Sequence, residues 1–267
     1  MARRLGICLL LLPLLLGGTA AMAQTDSLRA VRHTHLFGVG SVNLLDTYLS
    51  PLEYTGWQLS TLHTSARALR PGSLWTLAAR YGGDVAYAHS PTDNGKDWDA
   101  NFAAAVQLRR RWQPTPALTL EGGGAAGLDL GGTYSIRNGN NPAQGRLGAW
   151  LGLSGEAAYR FRLWKRTWTA RATLDVPLAG AKFSPQYGQS YYEIFELGHR
   201  DHNVCATWLG NAPSAHLTAL LEVPTGRTAL VVGYEADVRQ SHVNGLKYHT
   251  WGHRFIIGWT RRVHILK

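Results

Sequence analysis

The segment from residue 182 to residue 214 contains the residue types best suited to chemistry. His199, Asp201 and His202 lie close together in it. Imidazole titrates near neutral pH, and imidazole and carboxylate groups also bind metals, so these residues are candidates for an acid–base group. Their spacing matches no metal motif, and Gly152-Leu-Ser-Gly155 is not the Gly-x-Ser-x-Gly motif of a nucleophilic serine. We therefore predict no metal site and keep the three residues as catalytic candidates in an exposed loop.

A second set of candidates consists of charged residues that alternate with apolar residues along several segments. In a closed β-barrel these charges would face the lumen, where buried charges must pair. We predict that they form an ion-pair network filling a narrow lumen. The alternative is a thin polar channel or a ligand pocket, whose carboxylates could act in acid–base catalysis. The predicted lumen residues are Arg80, Asp84, Asp99, Glu121, Asp129, Glu156, Arg160, Arg171, Asp175, Glu222, Glu235, Asp237, Arg239 and Arg254.

An alternation of apolar and polar residues predicts how these charges are positioned. In the stretch that begins at Trp98, one phase contains Trp98, Phe102 and Val106, and the other contains Asp99 and Arg109. A period of two is that of a β-strand, whose successive side chains point to opposite faces. A long strand with one apolar and one charged face suits lipid on one side and a polar lumen on the other.

The same alternation recurs along the chain, so we predict an all-β fold, a transmembrane antiparallel up-and-down β-barrel of about ten strands. Short turns at one end would alternate with longer loops at the other. The predicted strands lie near residues 36–44, 57–67, 74–89, 98–109, 118–134, 147–162, 168–176, 217–223, 228–241 and 250–261.

Two features of these strands favour a bilayer over a soluble fold. From the third to the ninth strand, no charged residue falls in the apolar phase, as expected where Arg or Lys facing lipid is costly. Aromatic residues such as Trp75, Trp168, Tyr87 and Trp98 gather near predicted strand ends, where bilayer interfaces favour them. A soluble exported β-sandwich or closed barrel is the alternative, although globular strands usually run only about five or six residues.

The N-terminus carries the features of an export signal. Arg3 and Arg4 precede an apolar run over residues 5–16, and Ala21-Met-Ala23 forms a small-x-small cleavage site. We predict a signal peptide over residues 1–23 and a barrel domain over residues 24–267. The only cysteine left after cleavage is Cys205, which excludes an internal disulfide.

The formal net charge of +10 raises the question of an acidic partner. Export of the chain argues against nucleic acid as a partner, and the basic clusters at 109–111, 160–166 and 261–267 all fall at the predicted turn end. Such a rim suits lipid headgroups. We expect outer-membrane lipids and the barrel-assembly machinery as partners, no nucleic acid and no cofactor, with any small-molecule ligand unknown.

Two further segments carry a resemblance. Residues 44–56 and 191–198, the latter followed by His202-Asn203, resemble an uncharacterised family of secreted Bacteroidota proteins, a domain of unknown function. The resemblance implies an outer-membrane β-barrel over nearly the whole mature chain, and it implies no known activity or catalytic residue. The chain differs from better-known barrels at residues 263–267, which lack a terminal aromatic residue.

Two functional hypotheses follow for a protein of the outer membrane. The first is a non-enzymatic barrel that is structural, binds a ligand or forms a narrow pore with a charge-paired lumen. The second is a hydrolase or lipid-A-modifying enzyme that acts at the extracellular rim through the residues around His199. Activity that is lost on replacing His199, Asp201 or His202 in a folded barrel would separate the second hypothesis from the first.

Overall fold

The computed structural model describes residues 29–139, 141–226 and 228–265, and most of them lie in antiparallel strands. The predicted signal peptide lies outside the described residues. In these described ranges the one helix, α1, spans Tyr191–Phe195. The strands are β1 (Arg29–Asp46), β2 (Tyr54–Ala68), β3 (Trp75–His89), β4 (Lys96–Trp112), β5 (Leu118–Ser135), β6 (Ala143–Leu163), β7 (Arg166–Phe183), β8 (Val204–Trp208), β9 (Ala215–Pro224), β10 (Thr228–Val243) and β11 (Leu246–Ile265).

The strands close into a ring, because β1 pairs with both β2 and β11, and β7 pairs with both β6 and β9. In the described part of the chain, ten strands, β1 to β7 and β9 to β11, make this ring. The short β8 pairs only with the last residues of β7. The predicted all-β barrel of about ten strands is therefore confirmed.

Following paired residues around the ring gives its stagger. The path starts at Ala68 on β2 and returns to β2 at Gly56, an offset of 12 residues (68 − 56). With ten strands, this offset tilts the strands by roughly 40° and leaves a narrow lumen. The path runs through Thr76, Arg109, Gly123, Ser154, Asp175, His216, Asp237, Gly252 and Val42.

The two ends of the barrel differ in their connections. Short connections such as 69–74, 113–117 and 164–165 lie at one end, here called the turn end. In the last of these, Trp164 and Lys165 both have positive φ, 47° and 63°, as a tight two-residue hairpin requires. The other end, here called the loop end, has the connections 47–53 and 90–95 and the long segment 184–203, together with a two-residue turn at 244–245.

The segment 182–214, predicted to be irregular, contains regular structure. It includes the last residues of β7, then α1 and then β8. Helix α1 begins with a capping box, in which the Ser190 side chain accepts from the Glu193 backbone N–H and the Glu193 carboxylate accepts from the Ser190 backbone N–H. Helix α1 and strand β8 are each only five residues long. A repeating pattern of apolar residues cannot be recognised over so few residues.

The outer surface is apolar and the interior is charged, the reverse of a soluble protein. Outward Val106, Leu128 and Leu151 are 55%, 60% and 66% exposed, whereas inward Arg109 and Arg254 are 1% and 2% exposed. This polarity is that of a barrel with apolar surroundings and a polar lumen. No helix among the described residues is both long and apolar enough to cross a bilayer.

Candidate functional site

The lumen at the turn end is crossed by one shared ion cluster. The Glu156 carboxylate on β6 accepts from Arg32 Nη2 at 3.1 Å and from Arg109 Nη2 at 3.0 Å. Arg171 Nη1 also pairs with Glu156, and Arg171 Nε donates to Glu222 at 2.7 Å. Three guanidinium groups from three strands therefore meet at one buried anion.

A second carboxylate extends this cluster towards β3. Glu121 on β5 lies 3.4 Å from Arg109 Nε and accepts from Arg111 Nε at 2.9 Å. The Thr76 hydroxyl also donates to Glu121 at 2.9 Å. We call Arg32, Arg109, Glu121, Glu156, Arg171 and Glu222 the turn-end layer. Charge-assisted pairs of this kind hold both partners in place when water is excluded.

The middle of the lumen is filled by packed side chains. The Trp150 indole on β6 lies against Ala105 and Ala125, and all three are buried. It fits only because Gly127 has no side chain, since a Cβ there would lie 2.3 Å from the Trp150 ring. On the opposite wall, four apolar side chains complete the filling, namely Leu36, Leu62, Val231 and Ile256.

Above this level, a second charge cluster occupies one side of the lumen. Arg239 Nη2 donates to Asp84 at 2.7 Å, and Arg254 Nε lies 3.0 Å from Glu235. Both guanidinium groups also contact Asp237. These residues come from β3, β10 and β11, so the cluster bridges strands that are distant in the sequence.

Near the loop end, one guanidinium group joins three strands. Arg146 on β6 pairs with Asp99 on β4 and lies 3.3 Å from Asp46 on β1. It also donates to the Thr133 hydroxyl at 2.6 Å and stacks 4.2 Å from the centre of the Tyr248 ring. Arg146 therefore holds β1, β4 and β6 together beneath the loops.

A cavity of about 130 Å³ remains between these clusters, on the side formed by β4 to β7 and β10. Among its lining residues are Asp129, Gly148 and Lys182. The Lys182 ammonium donates to Ser241 Oγ at 2.6 Å and lies 4.6 Å from the centre of the Tyr248 ring. In the described structure, neither Asp129 nor Lys182 has an ion pair, unlike the clustered charges around them.

The structure places the predicted lumen residues as follows. Most lie inside and in contact with opposite charges, including Arg80, whose Nε lies 3.1 Å from Asp175. Arg160 is different: it is exposed at the turn end, and its Nη2 donates to the Pro116 carbonyl at 2.9 Å. The prediction for Arg160 was wrong because its strand position, although inward in phase, lies beyond the end of the lumen.

Several lumen residues were missed by the sequence analysis. Arg32 and Arg146 precede the predicted first and sixth strands, and Lys182 follows the predicted seventh strand. Extending the alternation by a few residues would have placed Arg32 and Arg146 inside. It would have placed Lys182 outside, because an extra residue, Leu178, at the register shift between β6 and β7 reverses the phase of β7. Arg109 was expected both on the charged face of its strand and in a basic cluster at the rim; it is 1% exposed inside the turn-end layer, so the first expectation describes it.

The candidate residues of the loop lie after α1 and are exposed. Their backbone groups make hydrogen bonds there. The His199 N–H donates to the Glu193 carbonyl at 2.9 Å, and the carbonyls of His199, Asp201 and His202 accept from Gln189 Nε2 at 2.8 Å, Gln186 Nε2 at 2.8 Å and Asn244 Nδ2 at 2.9 Å. The described structure shows no hydrogen bond between the side chains of His199, Asp201 and His202. It also brings together no group of three or more His, Cys, Asp or Glu residues able to hold a metal.

Helix α1 forms part of the cover at the loop end. The Tyr191 hydroxyl accepts from the Gly145 backbone N–H at 2.6 Å, which ties α1 to β6. The Tyr48 ring packs edge-on to Tyr191 at 5.8 Å, and burial raises the pKa of Tyr48 to about 12. The hydrogen bonds that Glu193 accepts from the Ser190 N–H and hydroxyl lower the pKa of its carboxyl. Near neutral pH the Tyr48 phenol is therefore uncharged and the cap intact.

Solved structures of known proteins resemble the chain. The chain resembles the outer membrane protease OmpT of Escherichia coli with a TM-score of 0.52 and 8% identity, covering 91% of this chain and 99% of that one. It also resembles the transport unit of the autotransporter AIDA-I of Escherichia coli, with a TM-score of 0.42 and 8% identity, covering 93% of each chain. At such identities the likeness to OmpT shows the fold alone.

Sequence comparison gives the family. No curated protein matches the chain. A family model described as "Protein of unknown function (DUF3316)" matches residues 7–267. Since this match spans nearly the whole sequence, the chain belongs to the DUF3316 family.

Proposed function

We propose that this protein is an outer-membrane β-barrel with a lumen closed by ion pairs, which serves a structural or ligand-binding role and does not form an open pore. The observation that carries the proposal is the single Glu156 carboxylate shared by Arg32, Arg109 and Arg171. Opening a path there would separate buried charges, and breaking such a pair costs about 3–5 kcal/mol. Trp150 closes the level above it.

The outer surface of the barrel supports the membrane location. Exposed aromatic residues occur near both ends of the outer surface, including Trp75 and Trp259 at the turn end and Trp98 and Tyr134 at the loop end. Such girdles mark bilayer interfaces. Short turns are periplasmic and longer loops extracellular in bacterial barrels, so the basic rim would face periplasmic headgroups. The same proposal includes export by the signal peptide and a Bacteroidota source. It also includes outer-membrane lipids and the barrel-assembly machinery as partners.

Planar-bilayer recording tests the closed lumen. We expect the purified, refolded chain to insert without conductance steps in 1 M KCl. Regular steps at low voltage would overturn the proposal of a closed barrel. Gel mobility of outer-membrane fractions provides the control for folding and insertion: we expect the unboiled protein to migrate differently from the boiled protein. A protein that is soluble in the periplasm and shows no such shift would contradict the membrane location.

A further inference from the structure

We propose that the loop-end cavity binds a small zwitterion, a ligand that carries both a cationic amine and an acidic group. The inference goes beyond the closed-barrel function, and it rests on that function only in requiring a lumen that is blocked below the cavity. Its basis is a pair of opposite charges, Asp129 and Lys182, that line the same cavity and form no direct ion pair in the described structure.

The strand register sets these two charges opposite each other. Asp129 on β5 pairs with Gly148 on β6, and Gly148 pairs with Lys182 on β7. The three residues therefore form one row across the wall, with no side chain on the middle strand. Neighbouring strands lie about 4.8 Å apart, so the Cα atoms of Asp129 and Lys182 are separated by roughly 9–10 Å. A small molecule with a charge at each end fits between them.

Both charges lack the partners that other lumen charges have. Asp175 lies on the same cavity and is held by Arg80 at 3.1 Å and by Gln107 Nε2 at 2.7 Å. In the described residues the Asp129 side chain makes no hydrogen bond or ion pair, and the Lys182 ammonium donates to the Ser241 hydroxyl and lies over the Tyr248 ring without a direct ion pair. A half-buried charge that has opposite charges nearby but no direct ion pair is only partly compensated. A ligand with both charges would satisfy the two groups together.

The wall beside this cavity has a break in its ladder of strand pairs. In the part of the chain that the structure describes, β8 and the last residues of β10 are not paired, and residues 209–214 lie between them. This segment makes only a few contacts with β10, such as His242 N to Asn211 O at 2.7 Å and Gln240 N to Ser214 Oγ at 3.2 Å. Ser214 and Gln240 also line the cavity.

This break leaves two sources for the zwitterion. A free solute would enter from the loop end, whereas the headgroup of a membrane lipid would enter through the gap between β8 and β10. Both sources present the same chemistry, a primary amine linked to an acid. O-phosphoethanolamine carries this chemistry as a soluble probe.

Calorimetric titration of the refolded full chain in detergent tests the proposal. We expect O-phosphoethanolamine to bind at least about tenfold more tightly than ethylamine or inorganic phosphate, since each of these satisfies only one charge. In vesicles of phosphatidylethanolamine, weaker binding of the probe than in vesicles of phosphatidylglycerol would identify the lipid headgroup as the source. Equal binding in both vesicles would identify a free solute.

Variants separate binding from a structural role. Asp129→Asn and Lys182→Gln should each weaken binding of O-phosphoethanolamine at least about tenfold. The exchange of the two charges, Asp129→Lys with Lys182→Asp, should restore binding, because the ligand can turn around. Gly148→Leu should block binding by filling the cavity, since a Cβ at Gly148 meets only Ala181 O at 3.6 Å. Arg160→Gln, an exposed rim change, is the matched control and should bind like the parent.

The proposal is overturned if the folded parent does not bind O-phosphoethanolamine, or binds the singly charged probes equally well. It is also overturned if the charge exchange, shown to be folded by gel mobility, fails to restore binding. A silent bilayer combined with absent binding would leave the closed barrel standing, so the two proposals can fail separately.

Discussion

In the turn-end half of the lumen, Glu156 is held by three guanidinium groups, whereas in the loop-end half Asp129 and Lys182 line a cavity without ionic partners. The difference follows from the size of the inward side chains. Large charged residues meet across the turn end, while inward Gly148 leaves space near the loop end. The level that is closed by ion pairs and the level of the proposed binding cavity therefore lie at different heights of one barrel.

Removing the shared anion should have the largest effect. Glu156→Gln leaves Arg32, Arg109 and Arg171 without their common carboxylate, so we expect the free energy of unfolding to fall by about 3–5 kcal/mol. Urea unfolding of the refolded protein, followed by gel mobility, measures this. Arg160→Gln is the control and should change stability by less than about 0.5 kcal/mol. Similar losses in both variants would show that the turn-end layer contributes no more than a surface charge.

Truncating Trp150, in the packed middle of the lumen, should have the next largest effect on stability. Trp150→Ala removes the indole that packs against Ala105 and Ala125, and we expect a loss of about 3 kcal/mol in the same urea assay. The cavity above lies close enough for water to fill part of the space, which keeps the loss at the low end for a large aromatic residue. A loss below about 1 kcal/mol would mean that this level is not tightly packed.

Neutralising the unpaired carboxylate should have a smaller effect of opposite sign. Asp129→Asn removes a charge that has no ionic partner, so we expect stability to stay the same or rise by up to about 1 kcal/mol. The matched variant Asp175→Asn, which loses its contacts with Arg80 and Gln107, should instead lose about 3 kcal/mol. Equal losses at Asp129 and Asp175 would contradict the contrast between the two kinds of carboxylate.

Acid should weaken the cap of α1, which forms part of the cover at the loop end, and this is the smallest of the expected effects. The folded-state pKa of Glu193 is lowered, so its contribution to the α1 cap is fully present above the unfolded pKa of about 4.3 and is lost as pH falls through the folded pKa. We expect the backbone amide hydrogens of α1 to exchange with solvent faster below about pH 4.3 than at pH 6, after the rates are corrected for intrinsic exchange. Glu193→Gln should lose this pH dependence, and an unchanged dependence would assign it to another group.

The sequence predicted the wall of the barrel better than its interior. The period of two placed Trp98, Phe102 and Val106 on the outer face, where they are 42%, 48% and 55% exposed. That period depends only on neighbouring residues. The partners inside depend on the stagger of the whole ring, which brings together Arg32 and Glu156, 124 positions apart.

The repeating pattern also could not predict short elements or residues at the ends of strands. The cavity depends on the row from Asp129 through Gly148 to Lys182, and Lys182 lay past the predicted end of its strand. The capping box formed by Ser190 and Glu193 was a usable signal for α1. β8 had no such signal, because five residues beside one strand end show too little alternation.

Cysteine accessibility tests the contrast between the two halves most directly. In a Cys205→Ser background, Gly148→Cys places a thiol in the cavity and Ser154→Cys places one on β6 between Trp150 and Glu156. A positively charged methanethiosulfonate reagent, added to the folded barrel in membranes, should label the first thiol and not the second. Equal labelling of both positions, or of neither, would contradict a barrel that is open to ligand near the loop end and closed at the turn end.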